Sequence, residues 1–194
     1  MTSMNQNEVQ NEGKKEMRKQ QKGFSLIELL IVVAIILIIA AIAIPNLMRA
    51  KMAANTSSAA ASERTIVTGE VAYFAAFPTL GYPATMVTLG SAIGGACVPS
   101  STSACLIDSN LANNGTPAGS GKSGFTFTAV GAPIAPSVIN NSFLTTGTAL
   151  SLTTGTTAFC AVDDGVVRSV AAAAPANVAV ASYVACQALN PLTN

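Results

Sequence analysis

Lys22-Gly23-Phe24-Ser25-Leu26-Ile27-Glu28-Leu29 opens a stretch that continues as LIVVAIILIIAAIAI through Ile44 and ends at Pro45. Leu29 to Ile44 is sixteen apolar residues without interruption, and from Phe24 the run is 21 residues with Glu28 as its only charge. At the rise of an α-helix such a run is about 31 Å long, the thickness of a bilayer's hydrocarbon core. The segment is predicted to cross a membrane as a helix.

Charge is distributed around it unevenly. Of the 194 residues, 10% are charged and the formal net charge is +1. Five of the ten bases (Lys14, Lys15, Arg18, Lys19, Lys22) precede the apolar run, and only Arg49 and Lys51 lie close behind it. Positive-inside bias therefore keeps the N-terminus cytoplasmic and sends the chain after about residue 48 across the membrane. Cys97, Cys105, Cys160 and Cys186 all fall on the translocated, oxidising side, where an even number reads as two disulfides with three possible connectivities. Preferred among the three is Cys97–Cys105, stapling a loop, with Cys160–Cys186 tying the last strand region to the tail. The near-neutral charge removes the basic footprint of a nucleic-acid binder. The chain contains no His, which removes Ser-His-Asp and Cys-His nucleophiles and every His-containing metal site.

A secretory signal peptide would also show a basic region, an apolar region and a small-residue site, here Ala41-Ile42-Ala43. Glu28 argues against it. A carboxylate at the bilayer centre costs roughly 2.5–3.5 kcal/mol on insertion scales, and a secretory apolar region has no use for one. An acid in this position implies a partner for its charge.

The run Lys22-Gly23-Phe24-Ser25-Leu26-Ile27-Glu28-Leu29 resembles the prepilin cleavage motif of type IV pilins and pseudopilins. The resemblance implies cleavage after Gly23 by a prepilin peptidase, methylation of the new amino-terminal Phe24, and Glu28 as the fifth mature residue. It also implies a pilin-like α+β fold: a long N-terminal helix, first transmembrane and then amphipathic, packed on a small antiparallel β-sheet head. Pro45 stands where the family often has a helix-bending proline, and a proline there removes a backbone donor and is expected to kink the helix. The implied function is that of a structural subunit of a type IV pilus. Its implied partners are copies of itself, the prepilin peptidase/N-methyltransferase and an inner-membrane assembly platform. The alternative is a pseudopilin of a type II secretion system, or less readily a membrane-anchored extracytoplasmic protein of another kind. The implied location is the inner membrane before assembly, then an extracellular pilus or a periplasmic pseudopilus. The tail Ala188 to Asn194 lacks the acids that major pseudopilins often use for calcium, which weighs toward the pilus. Glu28 is expected to meet the amino terminus of a neighbouring subunit, and neutralising two charges in a low-dielectric bundle is worth far more than in water.

Three regions follow: a leader over 1–23, a long helix over 24–77 whose transmembrane and assembly half is 24–48, and a β-rich extracytoplasmic head over 78–194. A start at Met17 would give the short leader MRKQQKG, so residues 1–16 read as an upstream extension of the coding sequence. From Asn46 to Phe77 the chain is Ala-rich, with Leu47, Ala50, Ala54, Ala61, Ile66 and Tyr73 near helical spacing and Gly69 as a weak point. Tyr73 and Phe74 are expected to pin the helix to the head rather than to carry electrons, since no aromatic lies between Phe24 and Tyr73. Gly124 to Thr128 alternates as a half-buried strand. The echo Leu144-Thr-Thr-Gly-Thr148 and Leu152-Thr-Thr-Gly-Thr156 reads as successive strand–turn units, and Asp163-Asp164-Gly165 as a hairpin turn between Thr157–Val162 and Val166–Val170.

Those two acids suit a turn better than a cation site, and nothing in the sequence fixes Lys122 near Asp108. Asn114-Gly-Thr116 and Asn140-Asn-Ser142 have the pattern of glycan acceptors. No catalytic residue, cofactor or metal is expected, and the chain is read as not an enzyme.

Overall fold

The structure, a computed structural model, describes residues 23–91, 96–135, 137–171, 180 and 182–192. The leader bases from Lys14 to Lys22 lie outside the described residues. The chain divides into two compact units, up to Ala43 and from Ile44 onward. Helix α1, Leu26–Ala76, is 51 residues long and remains helical on both sides of Pro45.

In the first unit every large apolar side chain from Phe24 to Ile42 stands exposed. Among the described residues nothing covers this helix segment. Apolar area of this extent is stable only against lipid or other protein.

In the second unit, α1 lies on a four-stranded antiparallel meander, β1 (Phe125–Ala132), β2 (Ser142–Ala149), β3 (Thr157–Val162) and β4 (Arg168–Ala171), in the order β1-β2-β3-β4. The fold is α+β. The register pairs Phe127 with Gly147, Ala129 with Thr145 and Gly147 with Phe159, so alternation puts Phe125, Phe127, Phe143, Thr145 and Phe159 on one face. All five are buried, in one core with Ala59, Ile66, Val67 and Tyr73 of α1. Each phenylalanine contributes roughly 1.5–3 kcal/mol of burial.

The buried stripe of α1 includes Ile66 and Tyr73 of the predicted set but otherwise departs from it. Leu47, Ala50, Ala54 and Ala61 are exposed, while Ala59, Ser62, Glu63, Ile66, Gly69, Glu70 and Tyr73 face inward. Alanine fits either face of a helix, so its spacing says little about which side is covered. Gly69 is a notch rather than a weak point. A Cβ there would meet Ile107 at 3.0 Å and Leu89 at 3.6 Å, so its absence lets the segment carrying Leu89 and Ile107 approach the helix.

Strand–turn units are observed for only one copy of the internal echo. Leu144–Thr148 lies in β2, whereas Leu152–Thr156 forms the turn between β2 and β3. The difference is tertiary. In the first copy Thr145 reaches Glu63 of α1. In the second, Thr154 bonds back to the Ser151 carbonyl at 2.9 Å and accepts from the Ser151 N–H at 3.1 Å, a local hydroxyl turn that replaces ladder pairing. The β3–β4 connection is a hairpin containing Asp163-Asp164-Gly165, with Gly165 at φ 73°. Its second strand begins at Arg168, two residues later than the sequence suggests.

A short 3-10 turn (Met86–Leu89) and α2 (Ser109–Ala112) pack beside the sheet, and α3 (Tyr183–Gln187) lies near the chain's end. Cys160 points to the sheet face opposite α1, where it is bonded to Cys186 of α3 among Val162, Leu144, Tyr183 and Leu189. Cys97 is bonded to Cys105.

β1 is an edge strand, and its outward backbone groups are largely taken. The Asn114 side chain accepts from the Phe127 N–H and donates to the Phe127 carbonyl, an amide acting as a one-residue partner strand. Gly131 N–H donates to Pro83, and Phe125 exchanges two backbone hydrogen bonds with Lys122. Covering an edge in this way removes a template for unwanted strand pairing. Asn114→Ala is expected to cost about 1–3 kcal/mol, because both groups at buried Phe127 lose their partner, and to raise the aggregation rate. Denaturant midpoints and light scattering check this; an unchanged midpoint would mean the amide contributes nothing.

Candidate assembly site

Gly23, Phe24 and Ser25 precede α1 in extended or irregular backbone, and all three are exposed. Nothing lies within 4 Å of where a Gly23 Cβ would stand, so the fold itself does not require glycine there. Phe24 is 82% exposed. Glu28 sits in the first turn of α1, where the unpaired N–H groups and the positive end of the helix dipole favour a carboxylate. Leu29 N–H bonds to the Ser25 carbonyl at 3.2 Å, so the helical path already starts around Ser25. Glu28 is exposed and has no hydrogen-bond or ion-pair partner among the described residues.

Further along α1, side chains fasten the helix to the head. Asn55 donates to the Thr154 carbonyl at 3.1 Å, Ser58 shares a hydrogen bond with Ser123 at 2.9 Å, and Tyr73 donates to the Ser101 carbonyl at 2.7 Å. Tyr73 also lies 4.9 Å, ring to ring, from Phe77, and Phe74 lies 4.8 Å from Tyr82, which is 4.8 Å from Phe143. This aromatic chain runs from the helix into the sheet, the pinning role the sequence suggests for Tyr73 and Phe74. Between these points two carboxyls are wholly buried: Glu63, hydrogen-bonded by Thr145, and Glu70. Burial raises Glu63 to about 7, partly opposed by the Thr145 hydrogen bond, and burial alone raises Glu70 to about 8. Neither is singled out by the sequence pattern. The missed signal is their seven-residue spacing, two helical turns, which puts both on the stripe of Ile66 and Tyr73.

One comparison with known proteins falls on the N-terminal segment. Residues 18–44 match the family described as the prokaryotic N-terminal methylation motif. The likeness is to a prepilin-type N-terminal motif and covers this segment alone. The type IV wide pilus major component PilA4 of Thermus thermophilus is 62% identical over 37 residues, which are 19% of this chain and 28% of that protein. The matched part thus spans under a third of the relative's length. No solved structure matches.

Behind the prepilin-type segment, the head's remaining charged groups are engaged with one another. Arg168 forks onto Asp164 at 3.1 and 2.5 Å, and its guanidinium also donates to the Val166 carbonyl at 3.0 Å. The hydrogen bond from Arg168 holds the Asp164 carboxyl below its usual range. Asp163 accepts from the Tyr183 hydroxyl, which pushes that phenol up to about 12. The two acids are thus spent on the turn and on α3. Lys122 and Asp108 do meet, at 3.5 Å, as a partly exposed ion pair of the kind worth about 0–1 kcal/mol. Asp108 also caps α2 through the Leu111 N–H at 2.9 Å. Among the described residues no three His, Cys, Asp or Glu side chains come together. The amide nitrogens of Asn114 and Asn140 donate to the carbonyls of Phe127 and Tyr82, so as folded neither is a free glycan acceptor.

Asp164→Asn leaves the nearly buried Arg168 without its counter-charge and is expected to lower stability by about 1–3 kcal/mol at neutral pH. A depressed carboxyl lends its stability above the ordinary aspartate range and loses it as pH falls through the folded value. The gap between variant and wild type therefore closes in acid. Unfolding curves at neutral and acid pH check it, and a gap that persists in strong acid would contradict the ion-pair account.

Proposed function

We propose that this chain is a structural subunit of a type IV pilus and has no enzymatic role. A prepilin peptidase cuts after Gly23, Phe24 becomes the methylated N-terminus, and the subunit waits in the inner membrane with its head on the outer side. The observation that carries this reading is the uncovered apolar helix with one unpartnered acid, Glu28, in its first turn. An assembly platform then transfers the subunit from lipid into a bundle of copies. There the Phe24 ammonium of one subunit lies against Glu28 of the next. In a low-dielectric bundle an unpaired carboxylate is far costlier than a paired one, so pairing favours the filament over the lipid and sets axial register. Bending at Pro45, where the ladder lacks a donor, lets the helix adjust between bundle and head. The likeness to a pilus major component favours a pilus over a type II secretion pseudopilus.

Glu28→Ala is expected to leave membrane insertion and leader removal intact while cutting the yield of sheared fibres at least tenfold, about 1.4 kcal/mol or more per subunit added. Fibre yield equal to wild type would refute the charge-pairing role. Replacing Gly23 with valine is expected to trap unprocessed precursor in the membrane. Mass spectrometry of the mature N-terminus reads both: a methylated Phe24 supports the proposal, and a start at Ile44 would mark ordinary secretion instead. Recovery of the chain only in periplasmic fractions of a secretion-competent cell would assign it to the pseudopilins.

A further inference from the structure

The two buried glutamates of α1 serve neither processing nor the pairing of subunits, and they face the surface on which the helix is docked. Glu63 and Glu70 are both 0% exposed. One Glu63 oxygen takes the Thr145 hydroxyl, while its other oxygen and both oxygens of Glu70 have no hydrogen-bond partner. The Glu63 surroundings come from β1 and β2: a Cβ added at Gly147 would lie 3.2 Å from the free Glu63 oxygen and 3.0 Å from the Phe127 ring. Apart from the Thr145 hydroxyl, only burial acts on this group, and no charged neighbour contributes. Glu70 interacts electrostatically with Tyr73 on its own helix and with Tyr82 on the segment before the 3-10 turn, and Tyr82 in turn feels Asp163 of the β3–β4 turn. Among the described residues no ion pair to a lysine or arginine involves either carboxyl. Arg64, between them in sequence, is exposed.

A buried carboxylate with neither cation nor donor is among the costliest groups a core can hold, and a neutral carboxylic acid in the same place is tolerable. We propose that Glu63 and Glu70 are carboxylic acids in the folded head and form an alkali-sensitive latch, so that ionising them weakens the docking of α1 on the sheet. The latch is a property of this head whatever the chain assembles into.

The direction follows from linkage. An acid raised on folding stabilises the folded state fully in acid, and that stability is lost as pH climbs from the ordinary carboxylate range through about 8. The other groups of the head whose pKa is shifted titrate outside this window. All four cysteines are in disulfides, burial and neighbouring charge hold Tyr73 and Tyr82 above the usual phenol range, and Asp164 is already ionised.

The test is denaturant unfolding of the full chain in detergent micelles at about pH 5 and about pH 9, with Glu63→Gln, Glu70→Gln and the double variant beside wild type. Glutamine mimics the neutral acid in shape. The unfolding constant of wild type is expected to rise roughly a hundredfold per carboxyl across this window. Each single variant removes its share, and the double variant is nearly flat. Wild-type stability independent of pH, or a double variant that keeps the full dependence, would overturn the latch. Should the variants fail to fold, infrared spectra of wild type labelled at glutamate decide. A protonated-carboxyl band persisting near neutral pH supports the latch, and its absence overturns it.

Discussion

Glu28 stands alone in 21 residues of otherwise uncharged, mostly apolar sequence, on a helix segment that no described residue covers. Lipid can cover the side chains around it but cannot neutralise its charge. That imbalance is why the first half of α1 is intelligible only with something outside the molecule. Gly23, Phe24 and Glu28 are exposed together at the same end of the helix. The family model that matches the chain covers this region, residues 18–44.

The head solves a separate problem, that of holding the second half of the same helix. It does so with four phenylalanines from three strands, a line of hydrogen bonds at Asn55, Ser58, Glu63 and Tyr73, and a disulfide that fastens α3 to the sheet's other face. Two acids on the docked stripe are an apparent misfit in such a core. As neutral acids they are polar but uncharged, and they make the dock responsive to pH where an apolar stripe would not be.

Much of this was legible in the linear chain. The membrane-length run, the motif around Gly23 and Phe24, the end of the helix before Pro78 and the strand at Phe125–Thr128 all follow from local composition and spacing. The docked face of α1 was less legible, because alanine is compatible with either face and acids are read by default as solvated. Position within the fold, not residue type, decided that Glu63 and Glu70 are buried while Ala61 is exposed.

Sequence by itself determined where an apolar helix begins, that it carries one acid, and that a turn-rich β domain follows, since these are matters of hydropathy and local turn chemistry. Tertiary structure alone decided which copy of Leu-Thr-Thr-Gly-Thr is a strand. It likewise set Asn114 on the edge of β1 and joined Lys122 to Asp108. Each of these depends on partners distant along the chain, and a pentapeptide or a lone side chain holds no information about which partner will arrive.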